Sequence, residues 1–260
     1  RPGFGVGPRY VRFLADGIEI DVGVLQAKSA RPAAPWFVPQ FQPDVVGIAV
    51  ENGADFFTLE LGMRVFGIGE SEFQLIESGK RVCADHFGIP VTTTLMGRGA
   101  FPDSHPLALG MPGMHGTYTA ITAMQKADLL VAIGVRFDDR VTGNPKLFAP
   151  HAQVIHVDVD PAEIGKVRVP DVPIVGDAKR VLEQFLKKWD DRPAPDNQEW
   201  IDTVHGWQRD YPLSYDQQPD GPIKPQYVVE ELYRLAGPDT ILVSGVGQHQ
   251  MWASQYWKFS

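Results

Sequence analysis

Between Gly88 and Asp177 the chain repeatedly delivers a short apolar, β-branched run into a glycine-rich or polar reversal, and few folds accommodate that rhythm. Residues 89–94, 129–133, 154–159 and 173–175 are the runs; they are apolar on both faces, as strands buried in a parallel sheet are. Helix-length segments separate them. This alternation predicts an α/β fold, a doubly wound parallel sheet. Such sheets bind ligands outside the carboxyl ends of their strands. The residues just past each run, 94–97, 134–140 and 158–160, are therefore the first site candidates.

The remaining segments can be placed around this core. Residues 1–42 are irregular and rich in Gly and Pro, although Ile18, Ile20, Val22 and Val24 alternate as in a strand. Residues 43–190 form the middle α/β domain, with further strands expected at 44–50 and 65–69. A helix is expected over 70–87, stopped by Gly88. Residues 116–126 read as a helix with no acid in its first turn. Asp160-Pro161 with Glu163 has the form of a helix start, and Asp177 of another. After Asp177, Val181, Leu182, Phe185, Leu186 and Trp189 share one face. Residues 191–222 are polar and Pro-rich, a linker carrying one helix around 200–207. Residues 223–260 begin a second α/β domain that is cut short. It holds a helix over 225–236 with Val228, Val229, Leu232 and Leu235 inward, a buried strand over 240–244, and the Gly-rich turn 245–250.

Composition narrows the function classes. A net charge of −8 argues against a general nucleic-acid-binding surface. The one cysteine, Cys83, excludes an intrachain disulfide and fits a reducing, cytoplasmic compartment. No apolar run is long enough to cross a bilayer, and the N-terminus has neither a signal core nor a starting Met, so a fragment or processed product is expected.

The turns carry the candidate chemistry. Gly97-Arg98-Gly99 and Gly113-Met114-His115-Gly116 permit close backbone approach to a ligand. Any one of them reads most simply as a tight turn; several in one sheet point to a long phosphorylated ligand. None matches the standard dinucleotide fingerprint. Arg136 and Arg140, separated by Phe137, Asp138 and Asp139, follow a buried strand and suit phosphate or carboxylate recognition. Asp158 is placed to accept from a ribose, whereas Asp160 reads as a cap. His115 and His249 lie in glycine-rich turns; His156, inside an apolar strand, reads as structural. No Ser-His-Asp order and no zinc spacing is present.

Five motifs in order, T-L-M-G-R-G-A-F-P-D (94–103), L-G-M-P-G-M-H-G-T (109–117), G-V-R-F-D-D-R-V-T-G (134–143), D-P-A-E-I-G-K (160–166) and G-V-G-Q-H-Q-M-W-A (245–253), resemble the acetolactate synthase (acetohydroxyacid synthase) catalytic-subunit family. The resemblance runs from about Val65 to Phe259, and Y-P-L-S-Y (211–215) is similar to bacterial members. It implies a thiamine-diphosphate enzyme that also holds FAD and uses magnesium. Such an enzyme decarboxylates pyruvate and joins the two-carbon unit to a second pyruvate or to 2-oxobutyrate in branched-chain amino-acid biosynthesis. The implied architecture is a pyrimidine-binding domain, an FAD-holding middle domain and a diphosphate-binding domain, of which this sequence resembles the second and the opening of the third.

Carried over by motif, the implied FAD contacts are Arg1, Thr94, Leu95, Met96, Gly97, Pro112, Gly113, Met114, His115, Gly134, Val135, Arg136, Phe137, Asp138, Asp158, Val159, Asp177 and Ala178. Gln248 and His249 match the pair that approaches the diphosphate of thiamine diphosphate. Met114, His115, Asp139 and Arg140 match positions lining the substrate and inhibitor channel. The activating glutamate and the magnesium ligands are expected outside the segment, before Arg1 and after Ser260, so no catalytic or metal residue is assigned within it. Residues 4–17 read as an insertion, and Gly23 replaces the family's Pro-Lys-Asp. A homodimer or homotetramer, a regulatory small subunit and 2-oxo acid substrates are the implied partners. Glyoxylate carboligase, pyruvate oxidase, or a cofactor-binding fragment without activity are the alternatives; R-F-D-D-R-V-T-G with Q-H-Q-M-W favours acetolactate synthase over the first two.

Overall fold

The computed structural model describes residues 9–15, 18–25, 57–61, 84–189 and 195–259. In chain order the strands are β1 (Arg9–Ala15), β2 (Ile18–Leu25), β3 (Phe57–Leu61), β4 (Val91–Thr93), β5 (Ala108–Gly110), β6 (Leu129–Ile133), β7 (Gln153–Asp158), β8 (Val172–Val175) and β9 (Ile241–Leu242). The helices are α1 (Tyr118–Lys126), α2 (Asp139–Thr142), α3 (Ala178–Trp189), α4 (Gln198–Asp210), α5 (Pro225–Ala236) and α6 (Gln248–Tyr256). They divide between two compact units, one drawn from residues 31–214 with Phe259, the other from residues 1–30 and 215–258.

The larger unit is built on a six-stranded sheet in the order β5-β4-β3-β6-β7-β8, every pair parallel. The chain starts at the centre with β3 and steps outward through β4 and β5. It then returns to the other side of β3 with β6 and steps outward again through β7 and β8. The reversal falls between β3 and β6, so a ligand crevice belongs at the carboxyl ends of those strands.

Strand residues are shared between the two faces, and each face has its own core. Leu129, Ile133, Ile155, Val157 and Ile174 pack with Phe87, Val181 and Leu182 on one side. Leu130, Ala132 and Val154 pack with Met124, Phe137 and Phe148 on the other. Both faces of β6 are thereby removed from water, which is why Leu-Leu-Val-Ala-Ile is apolar throughout.

α1 and β5 are covered by α4, where Trp200 and Val204, one turn apart, join Leu109, Ala120 and Ala123 in a third core cluster. Trp207 meets Trp200 edge-on with ring centroids 5.6 Å apart, and Lys126 lies over the Trp207 ring. Asn197 donates to the Phe87 carbonyl at 2.7 Å and Gln208 to the Ala108 carbonyl at 2.9 Å. The helix expected inside a linker is thus integral to the larger unit.

Several expectations change. Past Asp160 there is no helix. The turns over 160–166 are held by bonds of the i to i+3 kind, Glu163 N–H to the Asp160 carbonyl and Lys166 N–H to the Glu163 carbonyl. Gly165, at φ +74°, then turns the chain away before a second helical turn can form. Asp160 still caps locally, its carboxylate accepting from Ala162 N–H. β1, β3 and β5 add to the expected strands. The strand expected over 44–50, that over 65–69, Cys83 and most of the 70–87 helix lie outside the described residues; the helix's last turn, 84–87, is present.

In the smaller unit, β1 pairs antiparallel with β2, and β2 antiparallel with β9. α5 and α6 pack together, with Tyr233 edge-on to Trp257. Tyr215 donates to the Glu230 carboxylate and stacks edge-on with Tyr256; donation to that carboxylate pushes the phenol up to about 12. The strand expected to be buried is not: Ile241 is 47% and Val243 54% exposed. β9 pairs over only two residues, and among the described residues its one partner is β2. Val228, Val229 and Leu232 are half-buried and Leu235 is exposed, so the apolar face of α5 is only partly covered. Among the described residues no helix is long and apolar enough to cross a membrane.

Candidate functional site at the carboxyl edge of the parallel sheet

Five consecutive strand ends of the larger unit meet along one edge. From β4 the chain enters a single 3-10 turn, Leu95–Gly97, closed by Gly97 N–H to the Thr94 carbonyl at 2.8 Å. Met96 stands 73% exposed above it. Arg98 turns away instead of facing the crevice. Its guanidinium donates to Thr93 Oγ1 and to Asp103, lies over the Phe259 ring and is nearly buried. Arg98 fastens the turn to the body of the unit and is not free to meet a ligand.

From β5 the chain runs through buried Pro112 to exposed Met114 and His115. A Cβ on Gly113 would sit 2.3 Å from the Arg140 carbonyl oxygen, and one on Gly116 would sit 2.3 Å from the Met111 carbonyl oxygen. Gly113 therefore lets the loops after β5 and β6 pack on each other, and Gly116 lets the loop after β5 close on itself. Met114 N–H donates to the Arg140 carbonyl at 2.8 Å, locking the loop after β5 to the loop after β6. The chain then enters α1, capped by Thr117, whose hydroxyl accepts from Ala120 N–H and donates to the Leu109 carbonyl. The first turn of α1 carries no acid.

The loop after β6 lies at the reversal of the sheet. Gly134 has φ +65° and Phe137 φ +52°, left-handed values that a bulky side chain adopts only when its surroundings impose them. Val135 and Phe137 point inward and are buried, while Arg136 between them points outward with its side chain 60% exposed. Asp138 caps α2 by accepting from Arg140 N–H at 3.0 Å, and its second oxygen accepts from Arg136 Nε at 3.3 Å. Arg136 is thereby oriented through Nε, leaving its two terminal nitrogens to face outward. Asp139 and Arg140 are exposed and 3.9 Å apart, a separation of little energetic weight in water.

β7 ends in Asp158, which is 2% exposed. One carboxylate oxygen accepts from Asp160 N–H at 2.9 Å; the other is buried and has no hydrogen-bond partner. A buried ionised oxygen left so is costly, and sites that bind donors are where such atoms are found. Val159 follows, 61% exposed. β8 closes the edge: Gly176 N–H donates to the Asp158 carbonyl, and Asp177 caps α3 by accepting from Arg180 N–H at 3.0 Å, with Ala178 as its first residue.

The structure thus gathers Thr94 to Gly97, Pro112 to His115, Gly134 to Arg140, Asp158, Val159, Asp177 and Ala178 on one edge. Gln248 and His249 belong to the smaller unit, as the first two residues of α6, both exposed, in a first turn without an acid. Arg1 lies outside the described residues.

Comparison with known proteins finds a matching domain family and several related enzymes. The thiamine pyrophosphate enzyme central domain matches residues 77–185. The large subunit of acetolactate synthase from Mycobacterium tuberculosis is 54% identical over 194 residues, 74% of this chain and 31% of that protein. The large subunit from Corynebacterium glutamicum is 53% identical over 181 residues, 69% of this chain and 29% of that protein. A chloroplastic acetolactate synthase of Zea mays is 41% identical over 247 residues, 90% of this chain and 38% of that protein.

The chain belongs to the acetolactate synthase family.

It spans roughly three-tenths of the length of its bacterial relatives in that family. The matched central domain coincides with most of the larger unit, including every strand end from β4 to β8. One residue of this acetolactate synthase family member that sequence reasoning set aside gains importance in place. His156 lies directly beneath the β6 loop, fully buried, with Nε2 2.7 Å from the Val135 carbonyl. Its sequence signal is a titratable side chain in an otherwise apolar strand, two residues before Asp158 on the same face.

Proposed function

We propose that this chain is part of the catalytic subunit of a cytoplasmic acetolactate synthase, contributing the flavin-holding domain and the opening of the diphosphate-binding domain. The reaction takes carbon dioxide from pyruvate and joins the remaining two-carbon unit to a second 2-oxo acid, pyruvate or 2-oxobutyrate. Bound thiamine diphosphate supplies the carbanion chemistry that the side chains of this segment do not.

The observation that carries the flavin reading is the edge described above: loops locked to each other at the sheet reversal, an outward Arg136 and the unpaired Asp158 oxygen. Asp158 suits hydroxyl groups of a ribose or ribityl chain, and Arg136 suits a phosphate or the edge of a flat ring. Met96 and Met114 offer exposed apolar, polarizable surface beside them. For thiamine diphosphate, Gln248 and His249 can each donate to a diphosphate oxygen from the start of α6, where the helix dipole also favours an anion. Met114, His115, Asp139 and Arg140 are the residues we assign to the substrate channel. Magnesium and the activating glutamate we assign to residues outside the segment, and the names of the relatives as large subunits support a small regulatory partner and an oligomer.

Full-length protein, supplied with pyruvate, thiamine diphosphate, magnesium and FAD, is expected to form acetolactate, and residues 1–260 alone to form none. Pyruvate consumed without acetolactate by the full-length protein would contradict the reading.

A further inference from the structure

We propose that His156 is a positioning residue: from β7 it holds the turn over 134–138 in the conformation that presents Arg136 and Asp138 at the sheet reversal. Three contacts in a row join that turn to β7. Gly134 N–H donates to the Val157 carbonyl at 2.7 Å. The His156 ring reaches the Val135 carbonyl at 2.7 Å, and because a carbonyl only accepts, Nε2 must carry the proton and donate. The Phe137 ring then stands edge-on to the imidazole, centroids 5.0 Å apart and planes at 72°.

Phe137 needs that support. At φ +52° its backbone is in a region that costs about 1–2 kcal/mol for a non-glycine residue. Its side chain is 1% exposed, wedged between His156 and Phe148, so the buried ring fixes the twist. The twist sets which way Arg136 points, because the inward positions on either side of it are Val135 and Phe137. His156 thus reaches the crevice through two neighbours and touches nothing in it. A plain core residue would fill the same space without the directional bond to Val135. The requirement for a ring nitrogen that donates while the other, Nδ1, stays buried without a partner sets this site apart from ordinary packing.

The latch itself is independent of any ligand; only what the turn serves rests on the flavin reading. Two measurements on the full-length protein keep these separate. The first is hydrogen exchange in wild type, His156→Phe, His156→Asn and His156→Gln. Phe fills the space without a donor, Asn is too short to reach Val135, and Gln can still donate. The amides of residues 135–138 are expected to exchange at least roughly tenfold faster in the Phe and Asn variants, with 129–133 unchanged and Gln close to wild type. Exchange unaltered at 135–138, or raised evenly across the unit in every variant, would overturn the latch.

The second is a double-mutant cycle on FAD affinity with Arg136→Ala. His156→Phe alone is expected to weaken FAD roughly tenfold, and in the Arg136→Ala background to add less than roughly twofold, because it acts through Arg136. Strict additivity would overturn action through Arg136. Faster exchange at 135–138 with FAD affinity indifferent to Arg136→Ala would support the latch and reject the flavin role of the turn.

Discussion

The turn after β6 and the turn after β9 look alike in sequence: an apolar run, a glycine, two or more polar residues, then a helix. In the structure they differ sharply. Gly134 to Arg140 sits on a strand covered on both faces, with Phe137 and Val135 buried and His156, Val157 and the 113–114 loop holding it from three directions. Gly245 to Gln250 follows a two-residue strand with Ile241 and Val243 about half exposed and Val246 92% exposed. The helix it leads into has no side-chain cap. A glycine-polar signature marks a chain reversal past a strand end. Whether that place is preorganised depends on the layers behind it, and those come from distant parts of the chain.

The largest expected contrast is in stability. Phe137→Ala should destabilise the larger unit by about 3–5 kcal/mol, the usual loss for a buried Phe, whereas Val246→Ala should change stability by less than about 0.5 kcal/mol. Chemical denaturation followed by tryptophan fluorescence would read both. Equal, small effects would mean the β6 turn is no more rigid than its counterpart. Glycines sharpen the same comparison. Gly113→Ala places a methyl group 2.3 Å from the Arg140 carbonyl at φ +91°, so backbone must move, and a loss of about 2–4 kcal/mol is expected. Gly245→Ala meets only the His249 ring at 3.5 Å, an ordinary contact, and should be within about 0.5 kcal/mol of wild type.

The smallest effect is a pH dependence confined to the β6 side. Burial is the main influence on His156 and lowers its pKa below 6.5, against opposing contributions from the Val135 carbonyl, Asp158 and Glu163. A histidine lowered on folding binds its proton more readily in the unfolded chain. Its contribution to stability is therefore full above pH 6.5 and is lost as pH falls through the folded value. Denaturation midpoints measured from pH 8 down to about pH 5 should fall, and that part of the fall should vanish in His156→Gln. An identical pH profile in the variant would assign the dependence to other groups.

Much of this arrangement was legible from the sequence, for identifiable reasons. Leu129 to Ile133 is apolar on both faces and reads directly as a central strand. Asp177 followed by Val181, Leu182 and Phe185 reads as a capped helix, and both are found. β5 was hidden because it is three residues long, Ala-Leu-Gly, between Pro106 and Pro112. β1 was hidden by Arg9 and Arg12, which break its apolar alternation. The helix expected after Asp160 carries a correct start signal, but a glycine five residues later and the strand at Val172 leave it no room. The candidate loops were correctly placed at strand ends, yet Gly113 serves packing against the loop after β6, Gly116 closes its own loop, and Arg98 is structural. The roles of Gly113 and Arg98 depend on contacts with Arg140 and Phe259 that no local pattern encodes.

We propose that the carboxyl edge of the parallel sheet, with Arg136 at its reversal and Asp158 at the end of the next strand, holds a flavin. The most direct test is to titrate flavin-stripped full-length protein with FAD and compare wild type with Asp158→Asn, which keeps the shape and removes the charge. Saturable binding of one FAD per chain is expected in wild type, with affinity weakened roughly tenfold or more in the variant, as when a buried charged acceptor is lost. Absence of FAD binding in wild type, or equal affinity in the two proteins, would contradict it.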